Sequence, residues 1–383
     1  MSGFPEGNAI VYCEGAFNTT NGKTAHGLVR RTARYRVLSV LDSLYAGTDC
    51  CEVLDGRPSG IPVLADLSSA IHAAGREGLK ATHFVVGLAP DGGRLSVEAR
   101  SAVRQALAAG LNVDSGLHDF LSEDPQLVAL AEESDVQIRD IRKPPTREQL
   151  HFFSGSIEKV DALKIALLGT DSAVGKRTTA WLLIDGLRSA GYVAEMVGTG
   201  QTAWLQGAQY SIILDSLVND FVSGEIEHAV YQAWSEQHPD VIVIEGQGSL
   251  MNPAYPGGFE ILAAARPDVV ILQHAPGRLE YDGFPGYSIH PLPTQIEAVE
   301  LISGKPVVAI AINHENLPAS TIPLVCAEIS KKCGLPTSDV LQDGPQSLVD
   351  ALEPWLAGGG RARRASGDSA PSISGAPFLS EPL

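Results

Sequence analysis

Residues 165–183, which read IALLGTDSAVGKRTTAWLL, decide the fold of this chain. Their apolar start predicts a buried strand, the small residues from Gly169 to Gly175 predict a tight loop, and the stretch after Lys176 predicts a helix. In such an arrangement backbone N–H groups turn inward around an anion, the helix N-terminus adds partial positive charge, and the lysine neutralises a phosphate. The residues expected to contact this ligand are Gly169, Thr170, Asp171, Ser172, Ala173, Val174, Gly175, Lys176, Arg177, Thr178 and Thr179.

This loop departs from the common pattern GxxxxGK[ST] in two places. Five residues rather than four separate Gly169 from Gly175, as in the GTD…VGKT loop of dethiobiotin synthetase and its relatives, which it resembles. Arg177 replaces the hydroxyl residue that normally follows the lysine and binds Mg²⁺, so Thr178 or Thr179 would have to take over that role. The sequence therefore predicts phosphate or diphosphate binding but does not predict triphosphate hydrolysis. A loop with an additional positive charge and a weaker metal site suits coenzyme A, which carries a diphosphate and a 3′-phosphate.

Further apolar runs after the loop predict the rest of a parallel sheet. They cover residues 193–197, 240–244, 268–272 and 306–312, and each has a polar or Gly-rich carboxyl end. Strands covered on both faces have this pattern, and their ligands gather at the carboxyl ends. We therefore predict a P-loop NTPase-like, three-layer α/β domain over residues 156–356.

The first part of the chain alternates strand and helix patterns in the same way. Strands are predicted at residues 9–13, 36–41, 61–64 and 82–88, with helical spacing at residues 69–77 and 96–109. Such alternation indicates a Rossmann-like α/β domain with a mainly parallel sheet, over residues 1–155. No GxGxxG opens it, so we predict no dinucleotide there. Residues 357–383 are rich in Gly, Ser and Pro and are predicted to form a disordered tail.

The amino-acid composition and the apolar pattern disfavour some binding partners and some cellular locations. The 383 residues contain 28 Lys and Arg against 45 Asp and Glu, a formal net charge of −17, which disfavours nucleic acid. The five cysteines form no disulfide framework, and the chain start lacks the pattern of a secretory signal. No apolar run approaches the ~18–20 residues that span a bilayer. We expect a cytoplasmic protein that binds no membrane and forms a homo-oligomer.

Three carboxylates are candidates for catalysis. Glu245 ends a buried strand, where it could hold Mg²⁺ in a nucleotide-binding protein or accept a proton from an amine in an acyltransferase. Asp220 and Glu225 flank Gly224 in ILDSLVNDFVSGE, where they could bind metal, take a proton or face water.

Neutral hydrogen-bonding groups and a few arginines are candidates for substrate binding. The neutral candidates are Gly198, Thr199, Gly200, Gln201 and Thr202, together with Gln247 and His274. The basic candidates, which could pair with substrate carboxylates, are Arg30, Arg31 and Arg142.

Taken together, the motifs resemble those of a two-domain family whose characterised branch comprises D-glutamate N-acetyltransferases. The resemblance rests on GTDSAVGKRTTA, VGTGQT, NDFVSGEIE, IEGQGSLMNPAY and DVVILQHAP, in this order, and on VVGLAPDGGRL and VDSGLHDFLSEDP before them. It implies a Rossmann-like first domain, a P-loop second domain, acetyl-CoA as donor and an acidic amino acid as acceptor, D-glutamate in the characterised branch.

Three hypotheses about function follow. The leading one is an N-acetyltransferase that moves acetyl from acetyl-CoA to the amine of an acidic amino acid, with D-glutamate as the expected acceptor. The alternative is a kinase or ligase related to dethiobiotin synthetase, in which ATP and Mg²⁺ activate a carboxylate and Thr178 and Glu245 hold the metal. The third is a non-catalytic protein that binds a nucleotide or coenzyme A.

Overall fold

A computed structural model describes residues 4–356, which build two parallel β-sheets with helices beside them. The strands of the first sheet are β1 (Gly7–Tyr12), β2 (Tyr35–Leu41), β3 (Val63–Leu64), β4 (His83–Val86), β5 (Asn112–Ser115) and β6 (Ile138–Asp140). The helices that accompany them are α1 (Lys23–Arg30), α2 (Cys50–Asp55), α3 (Leu67–Arg76), α4 (Val97–Ala108) and α5 (Pro125–Glu133).

The second sheet is formed by the second half of the chain. Its strands are β7 (Leu163–Gly169), β8 (Ala194–Gly198), β9 (Tyr210–Ser211), β10 (Val241–Glu245), β11 (Val269–His274), β12 (Val307–Ile312) and β13 (Thr337–Ser338). Its helices are α6 (Lys176–Ser189), α7 (Gln201–Gln206), α8 (Asn219–Gln237), α9 (Phe259–Ala264), α10 (Leu292–Ser303), α11 (Ile322–Cys333), α12 (Val340–Asp343) and α13 (Gln346–Leu356).

Strand order shows how each sheet is assembled. The order is β3-β2-β1-β4-β5-β6 in the first sheet and β13-β12-β11-β7-β10-β8-β9 in the second, and all strand pairs within residues 4–356 are parallel. Each sheet has two clusters of buried apolar side chains, since successive strand residues point to opposite faces. The second domain therefore has three layers, and the predicted fold class, Rossmann-like followed by P-loop, is confirmed.

The structure differs from the sequence predictions mainly at element ends and in short strands. Helix α6 begins at Lys176, two residues before the predicted start at Thr178. The short strands β6, β9 and β13 were not predicted, because two or three residues carry no measurable alternation. The predicted boundary at residue 155 falls in the linker between β6 and β7, and the predicted disordered tail lies outside the described residues. No helix in residues 4–356 combines the length and apolarity needed to cross a bilayer.

The two domains are joined through α7, which packs against α1. Leu205 of α7 is fully buried and belongs to the apolar core of the first domain. Gln206 Nε2 donates hydrogen bonds to the carbonyl oxygens of Gly27 (2.8 Å) and Arg31 (3.0 Å). Arg34 Nε donates to the carbonyl of Trp204 at 2.7 Å, and its guanidinium lies 3.6 Å from the centre of that indole ring. A helix of the second domain thus completes the core of the first.

The linker between the domains is held by α8. Glu225 accepts hydrogen bonds from the backbone N–H (2.7 Å) and Nδ1 (2.8 Å) of His151, and Glu227 accepts from the backbone N–H groups of Ser154 (2.6 Å) and Ile157 (3.0 Å). Gly224 lets the linker approach α8 closely, since a Cβ at this position would lie 1.9 Å from the carbonyl oxygen of His151. The path of the linker therefore depends on a glycine that directly precedes the buried carboxylate of Glu225.

We expect Gly224→Ala to destabilise the protein, because the methyl group cannot fit without moving the linker backbone. Overpacking of this kind costs about 1–3 kcal/mol, although alanine is otherwise the better helix former. The matched control is Gly75→Ala in α3, where a Cβ would meet nothing within 4 Å. Thermal and urea unfolding should show a loss for Gly224→Ala and a small gain for Gly75→Ala. Equal stability of the two variants would contradict the close contact.

Candidate functional site

The phosphate loop lies between the ends of two neighbouring strands. β7, which leads into the loop, pairs with β10 on one side and β11 on the other. In the register, Glu245 lies opposite Leu167 and Gln273 lies opposite Gly169. The polar strand ends predicted from sequence are thus brought to one edge of the sheet, around the start of α6.

Lys176 crosses the loop and holds it together. Its Nζ donates to the backbone oxygens of Asp171 and Gly248, both at 2.8 Å, and the side chain is buried. Burial lowers the pKa of Lys176 to about 8, although the charges of Glu245 and Asp171 act to raise it. The loop backbone bends sharply beside it, with φ of +51° at Ala173 and +100° at Gly175.

Asp171 anchors the loop from within. Its Oδ1 accepts hydrogen bonds from the backbone N–H of Ser172 (2.7 Å) and from Asn252 (2.8 Å). Its Oδ2 accepts from Arg278 (2.7 Å) and from the backbone N–H of Asp282 (2.9 Å). A fully buried carboxylate that accepts four hydrogen bonds fixes the loop. Asp171, which the sequence predicts to contact the ligand, thus has a supporting role in this structure.

Two of the hydroxyl groups in this stretch, those of Thr170 and Thr179, form hydrogen bonds. Thr170 Oγ1 is 2.9 Å from Nδ1 of His274, and Thr179 Oγ1 donates to Gln273 at 2.6 Å. Burial lowers the pKa of His274 to about 4, helped by the charge of Lys332, so the ring is neutral and orients the loop. Thr178 is half-buried, and its hydroxyl group forms no hydrogen bond to any other residue within residues 4–356.

Glu245 is a buried carboxylate beside the loop, with only 5% of its surface exposed. Its Oε2 accepts a hydrogen bond from the backbone N–H of Thr199 at 3.0 Å, and Oε1 has no hydrogen bond to any described residue. Burial raises the pKa of Glu245, against the opposing effects of Arg177, the Thr199 N–H and Lys176. A carboxylate in this environment accepts and keeps a proton more readily than an exposed one.

The predicted stretch Gly198–Thr202 lies directly against Glu245 and the first domain. Thr199 Oγ1 donates to the carbonyl of Glu245 (3.0 Å), and Gln247 Nε2 donates to Thr199 O and Oγ1 (both 3.0 Å). Thr202 Oγ1 is 3.2 Å from Thr24 Oγ1 of α1. The backbone of Gly116, just after β5, approaches Gln201 so closely that a Cβ would lie 2.6 Å from Gln201 Cγ. The carboxyl ends of both sheets therefore meet here.

Arg177 extends toward the first domain at the same place. A Cβ on Gly27 of α1 would lie 3.3 Å from Arg177 Nη2, so a glycine makes room for the guanidinium. The Nε atom is buried and has no hydrogen-bond partner, and the positive charge acts on Glu245 without forming an ion pair. Burial lowers the pKa of Arg177.

The arginines predicted to bind substrate carboxylates already have partners. Arg30 forms two hydrogen bonds to Asp55, at 2.6 and 3.0 Å, and Arg31 pairs with Asp185 while stacking on Trp181. Arg142 donates from Nε to the carbonyl of Gly116 at 2.6 Å and pairs through Nη1 with Asp215. Arg31 and Arg142 each bridge the two domains.

Among the described residues, the other two carboxylate candidates, Glu225 and Asp220, share no hydrogen-bond partner with Glu245. The Glu225 carboxylate accepts hydrogen bonds from His151 of the linker. The Asp220 side chain is exposed in the first turn of α8 and forms no hydrogen bond to a described residue. Within residues 4–356, no group of three or more His, Cys, Asp or Glu side chains is arranged to hold a metal ion.

Several residues that shape the site were missed by sequence reasoning. Asn252 lies in the quoted motif IEGQGSLMNPAY and could have been selected from it, because an Asn near a strand end is a ready hydrogen-bond donor. Arg278 also holds the carbonyl of Ser172 (2.7 Å) and is itself fixed by Glu315 at 2.6 and 2.9 Å. Asn313 donates to the carbonyl of Val174 at 3.1 Å. Arg278 belongs to no pattern that marks it, whereas Asn313 directly follows the predicted strand at residues 306–312 and is one of the polar groups expected at that strand end.

Known relatives match both halves of the chain. A curated protein of Pseudoalteromonas sp. named D-glutamate N-acetyltransferase is 32% identical over 280 residues, which cover 72% of this chain and 82% of the relative. A protein of the same name from Tritonibacter scottomollicae is 30% identical over 275 residues, covering 70% of this chain and 80% of the relative.

A solved structure and two family profiles agree with the architecture. The crystal structure of a DUF1611 family protein from Anabaena variabilis ATCC 29413 has a TM-score of 0.83 and 28% identity, covering 91% of this chain and 99% of that one. Residues 43–144 match the DUF1611_N Rossmann-like domain, and residues 151–349 match the DUF1611_C P-loop domain, both described as domains of unknown function. The chain therefore belongs to the DUF1611 family.

Proposed function

We propose that this protein transfers an acetyl group from acetyl-CoA to the amino group of an acidic amino acid, with D-glutamate as the first acceptor to test. The observation that carries the proposal is the placement of a buried carboxylate, Glu245, beside a preorganised phosphate loop. The names of the relatives support an acetyltransferase, and the donor and acceptor are our inference.

The phosphate loop would hold the diphosphate of the donor. Its backbone is fixed through Asp171, Arg278 and Asn313, so its N–H groups need little rearrangement when an anion binds. Lys176 would exchange its two backbone acceptors for phosphate oxygens, which compensates the loss of those hydrogen bonds.

Glu245 would prepare the acceptor for attack. The α-ammonium gives one proton to Glu245 Oε1, and the freed nitrogen lone pair attacks the thioester carbonyl carbon. A tetrahedral intermediate forms, the C–S bond then breaks, and the thiolate takes the second proton from nitrogen to leave as the free thiol. Thr199 positions the base, because its N–H is donated to Glu245 Oε2 rather than to the intermediate.

The ATP-dependent alternative fits these residues less well. A Mg²⁺ ion held by Thr178 and Glu245 would share a buried carboxylate with two cations, Arg177 and Lys176, which already oppose its protonation. Like charges packed in a low-dielectric site repel strongly. Arg177 already supplies positive charge that acts on Glu245.

The purified protein should release thiol from acetyl-CoA only when an acidic amino acid is present. A panel of D- and L-amino acids, followed by a thiol reagent and by mass spectrometry of the N-acetyl product, measures this directly. EDTA should leave the rate unchanged. Formation of ADP from ATP in a substrate-dependent reaction, without acetyl transfer, would instead favour the alternative.

We expect Glu245→Gln to lower kcat by about 10²–10⁴-fold, the usual range for loss of a general base, while acetyl-CoA binding is retained. Because burial raises the pKa of Glu245, activity of the unchanged enzyme should rise with pH as this group loses its proton, and the variant should lack that dependence. Glu297→Gln, at an exposed position of α10, is the control. A variant with normal kcat and an unchanged pH profile would exclude Glu245 as the base.

Acetyl-CoA affinity should depend on the charge of Lys176. Its lowered pKa of about 8 means that the ligand-free protein keeps the ammonium below that pH and loses it above. Affinity should therefore be constant below about pH 8 and fall by up to about tenfold per pH unit above it. Calorimetric titration at several pH values tests this. Lys176→Gln should bind weakly at all of them, and a pH-dependent Kd in that variant would mean that another group is responsible.

A further inference from the structure

Arg177 is a cation without an anionic partner at the meeting point of the two domains. Its Nε atom is buried, and no hydrogen bond or ion pair to its guanidinium is formed within residues 4–356. The residue as a whole is only partly buried, so a small ligand can reach the Nη atoms. A buried charged donor without a partner is costly, and an anion that binds there recovers that free energy.

The neighbourhood of Arg177 is polar and lies between α1 and α7. Gly27 of α1 has no side chain that would crowd Arg177 Nη2. The hydroxyl groups of Thr24 and Thr202 lie at the same interface between α1 and α7. Glu245 is the acidic group next to it, and its Oε1 is free of hydrogen bonds to described residues. A guanidinium without a partner and a carboxylate with one free oxygen, Oε1, therefore interact electrostatically.

The other cations considered for the acceptor are not available in this way. Arg30, Arg31 and Arg142 each pair with an aspartate, and binding a substrate there would first break an ion pair. Lys176 is oriented across the phosphate loop by two backbone oxygens. Arg177 differs from all of them, because it turns away from the loop toward the first domain.

We propose that Arg177 binds the α-carboxylate of the acceptor while Glu245 receives its α-ammonium, so that the site selects α-amino acids over simple amines. The two charges of an α-amino acid lie on adjacent groups, which matches a guanidinium and a carboxylate placed next to each other. A guanidinium also presents paired N–H groups that fit a carboxylate in bidentate geometry. This inference rests on the proposed acetyl transfer and assigns Arg177 to the acceptor rather than to the phosphates.

The test compares D-glutamate with 4-aminobutyrate, which is the same molecule without the α-carboxylate. The unchanged enzyme should prefer D-glutamate in kcat/KM by on the order of 100-fold or more, because the analogue leaves Arg177 unpaired. In Arg177→Met this preference should collapse to less than about tenfold through a raised KM for D-glutamate. The KM for acetyl-CoA should change by less than about threefold, and Arg177→Lys should restore part of the preference.

Gly27→Ala provides a second variant that keeps Arg177. Alanine is favourable inside a helix, and its methyl group would crowd Thr202 Cγ2 at 3.1 Å, Arg177 Nη2 at 3.3 Å and Gln206 Nε2 at 3.3 Å. We expect a higher KM for D-glutamate and an unchanged KM for acetyl-CoA, and thermal unfolding measures any loss of stability through Gln206 separately. Circular dichroism of each variant shows that a lost preference does not come from unfolding.

Calorimetric titration of D-glutamate into the protein saturated with coenzyme A separates this inference from the proposed function. Binding that is lost in Arg177→Met supports the inference even if no acetyl product forms, in which case only the proposed function fails. Acetyl transfer with the same KM for D-glutamate in Arg177→Met overturns the inference and leaves the function standing. Weaker binding of acetyl-CoA with unchanged use of D-glutamate would also overturn it, because Arg177 would then serve the phosphates.

Discussion

The site depends above all on the burial of α7 in the first domain. Leu205 enters that domain's apolar core, and Gln206 binds two carbonyl groups at the end of α1. These contacts bring α1 over the start of α6 and set Gly27 against Arg177. Without them Arg177, at the start of α6, would have no neighbour from the first domain.

The charge distribution of the molecule follows from the same arrangement. The net charge of −17 is carried mainly at the surface, whereas Lys176, Arg177 and Glu245 are withdrawn from water at the strand ends. In this low-dielectric region a few groups control the local field. An acidic protein can therefore recruit anionic ligands, because the surface charges are screened within about 10 Å by salt and the buried ones are not.

Sequence was sufficient for features whose parts are contiguous. The strand, the loop glycines, Lys176 and the helix lie within one short stretch, so the phosphate loop could be recognised, and apolar runs revealed the neighbouring strand that ends at Glu245. Ion pairs between residues far apart in the chain could not be predicted from the sequence. Arg278 reaches Asp171 across 107 positions and Arg31 reaches Asp185 across 154, so no local pattern shows that either charge is already compensated.

The stacking of Arg34 on Trp204 restricts how the two domains can move. Arg34 is 5% exposed and is bound to the Trp204 carbonyl and to Glu6, so separating the domains would break its contacts with Trp204 and leave Glu6 as its partner. A hinge motion at this contact is correspondingly unfavourable, because it would have to break a hydrogen bond and a cation–π contact at once.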